Sequence, residues 1–299
     1  MSGVPGESAG GLAGLAGLAG QAQAGWRGEL QLDYRSEQGR TLCHDRHSGP
    51  LRVLQPLYPE GAGICHHVVV HPPGGVVGGD ELDLQATLGA GSHALITTPG
   101  ATRFYRSEGA VALQQATLTV AGGARLEWLP MEAIAYSGCL ARNRVRAHLA
   151  PGAEMIGWDM LALGLPASGL AYVAGSFEQS LELPGVWLER GRVAAGDHTL
   201  LDGGPGLAGH RVLGTLWFAA GTPLFAAQRD ALLEAARECM AGHALAATAG
   251  ATSPQAGVVL LRVLARQVEP AMQLFMQVRA AWRQLAWGLA AEPPRIWRT

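Results

Sequence analysis

Lysine is absent from the 299 residues, so all 22 basic side chains other than histidine are arginine. That excludes a Walker A loop, a Schiff-base lysine and a pyridoxal phosphate attachment point. Cysteine is scarce: Cys43, Cys65, Cys139 and Cys239 are scattered with no CxxC. Neither a disulfide framework nor a structural zinc site fits that spacing, and a reducing cytoplasm is the expected compartment. Charged residues are only 15% and the net charge is −2, without the basic excess that nucleic-acid binding requires. No run of 18 apolar residues occurs, so no membrane-spanning helix is expected.

Hydrophobic residues make up 48%, enough for a real core or a partner surface. Residues 1–25 are low in complexity, with Gly-Leu-Ala three times between Gly11 and Ala19. They lack a basic n-region and include Glu7, so a disordered tail is expected and a signal peptide is not. Gly6 to Gly10 match Gly-x-Ser-x-Gly, but no strand precedes them and no helix follows, as a nucleophile elbow requires.

From Gly28 to about Arg190 the dominant period is two, within a β-rich body expected over 26–205. Leu30, Leu32 and Tyr34 alternate with polar residues, as do Leu82, Leu84, Ala86 and Leu88, and later Val145, Ala147 and Leu149. Glycine breaks recur between these runs. The pattern predicts a mainly β fold, a β-helix or sandwich-like body of many short strands. After a boundary at Asp202–Gly206 the texture changes to a smaller α/β part over 206–299 with about two helices, packed on the body. Strands are expected at Arg211–Ala219 and Val258–Leu264. One helix is expected over Pro223–Ala241, with Thr222 as N-cap, and a second over Pro270–Leu289. Phe275, Val278, Trp282 and Leu285 form the apolar stripe of the second. The closing Pro293-Pro294-Arg295-Ile296-Trp297 reads as a docked tail.

Chemistry-bearing residues are sparse. The loop from His71 to Asp80 holds Gly74, Gly75, Gly78 and Gly79 after two prolines, and ends in one carboxylate where a strand begins. Its glycines allow close backbone packing. Cys65 and His67 fall on one face of a strand, about 7 Å apart, and His71 lies roughly 13 Å further along. They read as core or surface side chains or as a transient soft-metal contact. Thr97–Ser107 reads as a hairpin with a threonine turn or as the hydroxyl lining of a polar passage beside Asp80. Asp159 and Glu189 stand in apolar runs, so each faces solvent or is buried with a partner. Arg190 or Arg192 is the expected partner of Glu189. Arg142, Arg144, Arg146 and His148 share one face, either solvated or set for an acidic protein. No nucleophile with an oriented base accompanies any of these carboxylates.

Several runs together resemble the urease accessory protein UreD family, also called UreH. They are Gly39-Arg40-Thr41, Gly49-Pro50-Leu51-Arg52, Pro56-Leu57-Tyr58-Pro59-Glu60, His71 to Asp80 and Thr97 to Ser107. Leu126-Glu127-Trp128-Leu129-Pro130, Trp158-Asp159, Leu163-Gly164 and Pro294-Arg295-Ile296-Trp297 follow in order. The resemblance implies a cytoplasmic, non-enzymatic chaperone of nickel delivery with a mostly β fold. It implies binding to apo-urease, to UreF and to the GTPase UreG, in a dimer of heterodimers with UreF. Transient Ni2+ would pass along a polar tunnel, a role the motif positions carry to Asp80, Thr102, Asp159 and Glu189. Cys65 and His67 are weaker metal candidates. At Gly164-Leu165-Pro166-Ala167-Ser168-Gly169-Leu170 the sequence departs from the family pattern, with leucines where an Arg and a Glu are usual. Two alternatives stand beside this reading. One is a metal-dependent hydrolase using Asp80, Asp159 and Glu189 with His67. The other is a passive assembly scaffold that conducts no nickel.

Overall fold

The computed structural model describes residues 25–298. Apart from Gly25, the expected tail and its Gly6–Gly10 match lie outside the described residues. The chain winds between two facing sheets. Sheet I, in spatial order, is β14 (Trp187–Ala194), β13 (Ser176–Leu183), β11 (Leu140–Leu149), β8 (Ala112–Val120), β5 (Glu81–Leu88), β1 (Arg27–Glu37) and β2 (Arg40–Ser48). Sheet II is β16 (Ala249–Gln255), β17 (Val258–Ala265), β15 (Val212–Ala220), β12 (Glu154–Leu163), β9 (Arg125–Leu129), β6 (His93–Thr97), β4 (Ile64–Val70) and β3 (Arg52–Val53). Two short strands, β10 (Ala133–Ala135) and β7 (Thr102–Phe104), branch from β12 in parallel.

From β4 to β13 the chain alternates between the sheets, one long strand in each per coil. The stacked strands run parallel: β1, β5, β8, β11 and β13 in sheet I, and β4, β6, β9 and β12 in sheet II. Antiparallel partners close the stack at β2, β14, β3 and β15. The mainly β, solenoid-like body is the one the period-two pattern predicts. Three turns between the sheets lie one above another, and Gly91, Gly123 and Gly152 occupy the same place in each, at φ of 71°, 74° and 80°. The Gly123 N–H donates to the Gly152 carbonyl at 3.0 Å. A side chain at such a φ is strained, which explains glycine at each coil corner.

Alternation places Leu30, Leu32, Leu84, Leu118, Leu126 and Phe177 between the sheets, all buried. The opposite face of sheet II is apolar as well, because helices cover it. Trp158, Phe218 and Leu261 there pack against Phe275, Val278 and Trp282 of α3 (Val268–Trp287), with α2 (Ala226–Ala241) alongside; α1 (His198–Asp202) is a short turn. Strands β15, β17 and β16 extend sheet II directly from β12, so sheet II runs unbroken across residues 205 and 206.

Some local expectations are corrected. Helix α2 starts at Ala226, three residues after Pro223. Leu224 N–H bonds the Ala256 carbonyl, which keeps the chain extended, and the Thr222 hydroxyl accepts from Gly152 N–H instead of capping. Helix α3 includes Pro270 in its first turn, where no intrahelical N–H partner is lost. Leu285 is half exposed, and the buried stripe runs through Arg279 and Arg283 instead. Residues 97–107 are no hairpin: β6 pairs with β4 and β9, whereas β7 pairs with β10.

Those two arginines dock α3. Arg279 Nε donates to Glu127 Oε2 at 2.7 Å, and Arg283 forks onto Glu60 at 2.6 and 3.1 Å. His66 bonds Glu60 at 2.8 Å and His93 bonds Glu127 at 3.3 Å. Burial would raise the Glu127 carboxyl, but Arg279, His93 and Arg283 outweigh it and hold it at about 2. The tail is docked as its sequence implies: Trp297 Nε1 donates to Thr97 Oγ1 at 2.8 Å and stacks beside Trp158.

Candidate functional site

A cavity of about 250 Å³ lies between the sheets. Leu84, Gln114 and Asn143 line it from sheet I, and Trp128 and Asp159 from sheet II. Its lining continues into His71, Gly74 and Gly75 and along 98–103 into the start of β7, where Thr102 stands. The cavity is apolar in most of its wall, with a few convergent amides, hydroxyls and one buried carboxylate, the usual make-up of a binding site.

Asp159 is that carboxylate. Alternation along β12 turns it to the inter-sheet side, the same side as Met155 and Leu161. It is 5% exposed. Asn143 on β11 donates to Oδ2 at 2.9 Å, and Gln179 on β13 donates to Oδ1. Burial pushes the carboxyl up to about 7, with the charge of Glu189 adding to it and the two amides opposing.

Glu189 sits on β14, the edge strand of sheet I. Thr215 Oγ1 donates to its Oε1 at 3.0 Å, and Arg262 donates to its Oε2 through Nε at 2.9 Å and through Nη2. The expected partners Arg190 and Arg192 are replaced by Arg262 because strand positions an odd number of residues apart point to opposite faces. Thr215 faces Asp159 in the β12–β15 register, and Arg262 faces Thr215 in the β15–β17 register. Asp159, Thr215 and Arg262 thus form one row across sheet II, with Asn143, Gln179 and Glu189 opposite on sheet I. A polar seam leads from the cavity to the edge of the sandwich.

Asp80 does not line the cavity. Its Oδ1 accepts from Trp26 N–H at 2.8 Å and its Oδ2 from Val77 N–H at 3.0 Å. The loop it closes is stitched to the next coil: Val76 N–H donates to the Arg103 carbonyl, and Tyr105 N–H to the Val76 carbonyl. A Cβ at Gly75 would come within 2.2 Å of the Tyr105 ring, so this glycine is set by close approach. Asp80 also faces His71, whose imidazole burial pushes down and the Asp80 charge partly restores. Its observed contacts are those of a brace behind the cavity wall.

Cys65 and His67 share the inner face of β4, with Sγ 4.0 Å from Nδ1. His67 Nδ1 is hydrogen-bonded to the Tyr34 hydroxyl at 2.7 Å. Burial lowers the imidazole to about 4 and raises the Cys65 thiol to about 11. Among the described residues, no group of three or more His, Cys, Asp and Glu is disposed to hold a metal ion. The four residues of the hydrolase alternative are not brought together: Asp159 and Glu189 share the seam, and Asp80 and His67 are held by their own partners elsewhere.

Sequence reasoning missed Asn143, Gln179, Thr215 and Arg262. The signal was present for the first two, each a polar residue at an inward position of an alternating strand. Leu165 and Leu170 face each other as a two-residue bridge, Leu165 N–H to the Leu170 carbonyl at 2.8 Å. The two leucines are therefore neighbours, and an apolar pair there leaves no orphaned charge. Among the described residues, no helix is long and apolar enough to cross a membrane.

Comparison of the sequence with known proteins places the chain in a family. The family model for the UreD urease accessory protein matches residues 26–298. The urease accessory protein UreD of Leptothrix cholodnii is 60% identical, covering 92% of this chain and 99% of that protein. Its counterpart in Polaromonas sp. strain JS666 is 59% identical over 91% of this chain and 99% of its own length. That of Variovorax paradoxus is 57% identical over 92% and 99%. The chain belongs to the UreD family of urease accessory proteins, and its role is that of an accessory factor in urease maturation.

Proposed function

We propose that this protein passes Ni2+ towards apo-urease along the inter-sheet seam while bound in a complex with urease subunits, UreF and UreG. The observation that carries the reading is Asp159: a buried carboxylate at the cavity whose register neighbour Thr215 is hydrogen-bonded to a second carboxylate, Glu189, at the sandwich edge. Oxygens of Thr102, Asp159 and Glu189 at intervals would hold Ni2+ weakly, which suits transit. The amides of Asn143 and Gln179 orient the Asp159 carboxylate but must release it for a cation to bind. Asp80 has a supporting part in this scheme, keeping the His71–Gly75 wall in place, and Cys65 and His67 have none. Assembly as a dimer of heterodimers with UreF, in the cytoplasm, completes the proposal.

The test is co-expression with urease subunits and UreF, followed by pull-down and nickel analysis of the urease. Asp159→Ala is expected to co-purify with its partners as the parent does, while the nickel bound to urease falls at least tenfold. Unchanged binding with unchanged nickel loading would make the chain an assembly scaffold that conducts nothing. Failure of the parent to co-purify with either partner would remove the complex itself.

A further inference from the structure

The polar seam ends on a guanidinium. Arg262 lies on β17 between Thr215 of β15 and Gly250 of β16 in register, and its side chain reaches across the sandwich to Glu189. Two of its nitrogens bond Oε2 while Thr215 bonds Oε1. Both oxygens of Glu189 are therefore occupied, and a full positive charge stands at the place where a travelling cation would leave. The pair is not locked: the Arg262 side chain is 46% exposed and that of Glu189 33%. Ion pairs as exposed as this contribute little to stability, so this one can open without disturbing the fold.

We infer that Arg262 is a charge stopper at the outer end of the seam. It occupies Glu189 at rest, repels a divalent cation approaching from Asp159, and must swing off before Glu189 becomes a ligand. This rests on the cation-passage reading above. It also assigns a division of labour: Glu189 supplies oxygen, Thr215 keeps one of those oxygens oriented, and Arg262 decides when the other is free. A guanidinium suits that task because it stays charged at any working pH and matches a carboxylate in shape.

The test is equilibrium dialysis of the full-length chain, co-purified with UreF, against NiCl2, with the parent as reference. Arg262→Gln removes the charge and keeps a polar side chain; it is expected to lower the apparent Kd for Ni2+ about tenfold. Arg262→Lys keeps the charge and is expected to stay within twofold of the parent. Adding Glu189→Gln to Arg262→Gln is expected to cancel the gain, which a merely structural arginine would not show. Thermal midpoints report folding, and Arg262→Met takes the place of the glutamine variant if that one fails to fold. If the neutral variant binds Ni2+ no better than the parent while Asp159→Asn binds it less well, the stopper is wrong and the passage stands. If Asp159→Asn and Glu189→Gln also leave binding unchanged, the passage reading falls and the stopper with it.

Discussion

At the scale of single residues, Asp80 and Asp159 illustrate two uses of a buried carboxylate. Asp80 is spent on two backbone N–H groups, and removing it leaves both donors without their acceptor. Asp80→Ala is expected to destabilise the protein by about 1–3 kcal/mol, the penalty for unsatisfied buried donors, read as a shift of the denaturation midpoint. Asp159 carries a different signature. Its folded value of about 7 lies above the ordinary 3.8, so the folded state holds more protons than the unfolded state between those two pH values. Stability from this group is full below about pH 4 and is lost as pH rises to 7, on the order of 4 kcal/mol in total. Asp159→Asn is expected to remove that slope and to be more stable than the parent at pH 8, measured by denaturant titration across pH. An unchanged slope in the variant would place the titration elsewhere. The sequence offered Asp159 as a carboxylate in an apolar run with an unknown partner. The partners, Asn143 and Gln179, come from strands 16 and 20 residues away in the chain, and only the stacking of coils brings them together.

At the scale of elements, the strands were legible because alternation and glycine corners are local signals. Helix α3 was legible for the same reason, as a stripe at three and four residue steps. What local pattern could not show is that the stripe includes Arg279 and Arg283, 0–1% exposed and paired with Glu127 and Glu60. Those glutamates precede their arginines by 152 and 223 residues, so no spacing rule links them. Arg279→Met leaves Glu127 with a weakened share of positive charge in a dry site and is expected to cost about 3–5 kcal/mol, seen in the unfolding midpoint. The pH signature of Glu127 is opposite in sign to that of Asp159: its contribution is present above about pH 4.5 and is lost as pH falls towards 2. The start of α2 was misplaced because Thr222 and Pro223 satisfy a capping rule that a tertiary bond overrides. Thr222 is used by the Gly152 turn of the neighbouring coil.

At the scale of the whole molecule, winding between two sheets creates an interior that a single sheet cannot have. One strand per coil in each sheet means that a polar residue at matching positions of successive coils becomes a row. Gln114, Asn143 and Gln179 form one such row on β8, β11 and β13, and Asp159 faces it from sheet II. The helices on the outer face of sheet II leave this interior untouched, and the polar row continues from Asp159 past Thr215 to Glu189 on the edge strand β14. The loop at His71–Asp80, the most conspicuous stretch of the sequence, gives that interior one part of its wall through His71, Gly74 and Gly75, with Asp80 bracing it from behind.

Asp159 as a point of cation transit is tested most directly by the nickel content of urease matured with the Asp159→Asn variant. The side chain keeps its size and its place between Asn143 and Gln179 but loses its charge. Urease recovered from that co-expression is expected to carry less than a tenth of the nickel found with the parent, at equal recovery of the accessory complex. Nickel loading equal to that of the parent would contradict the account.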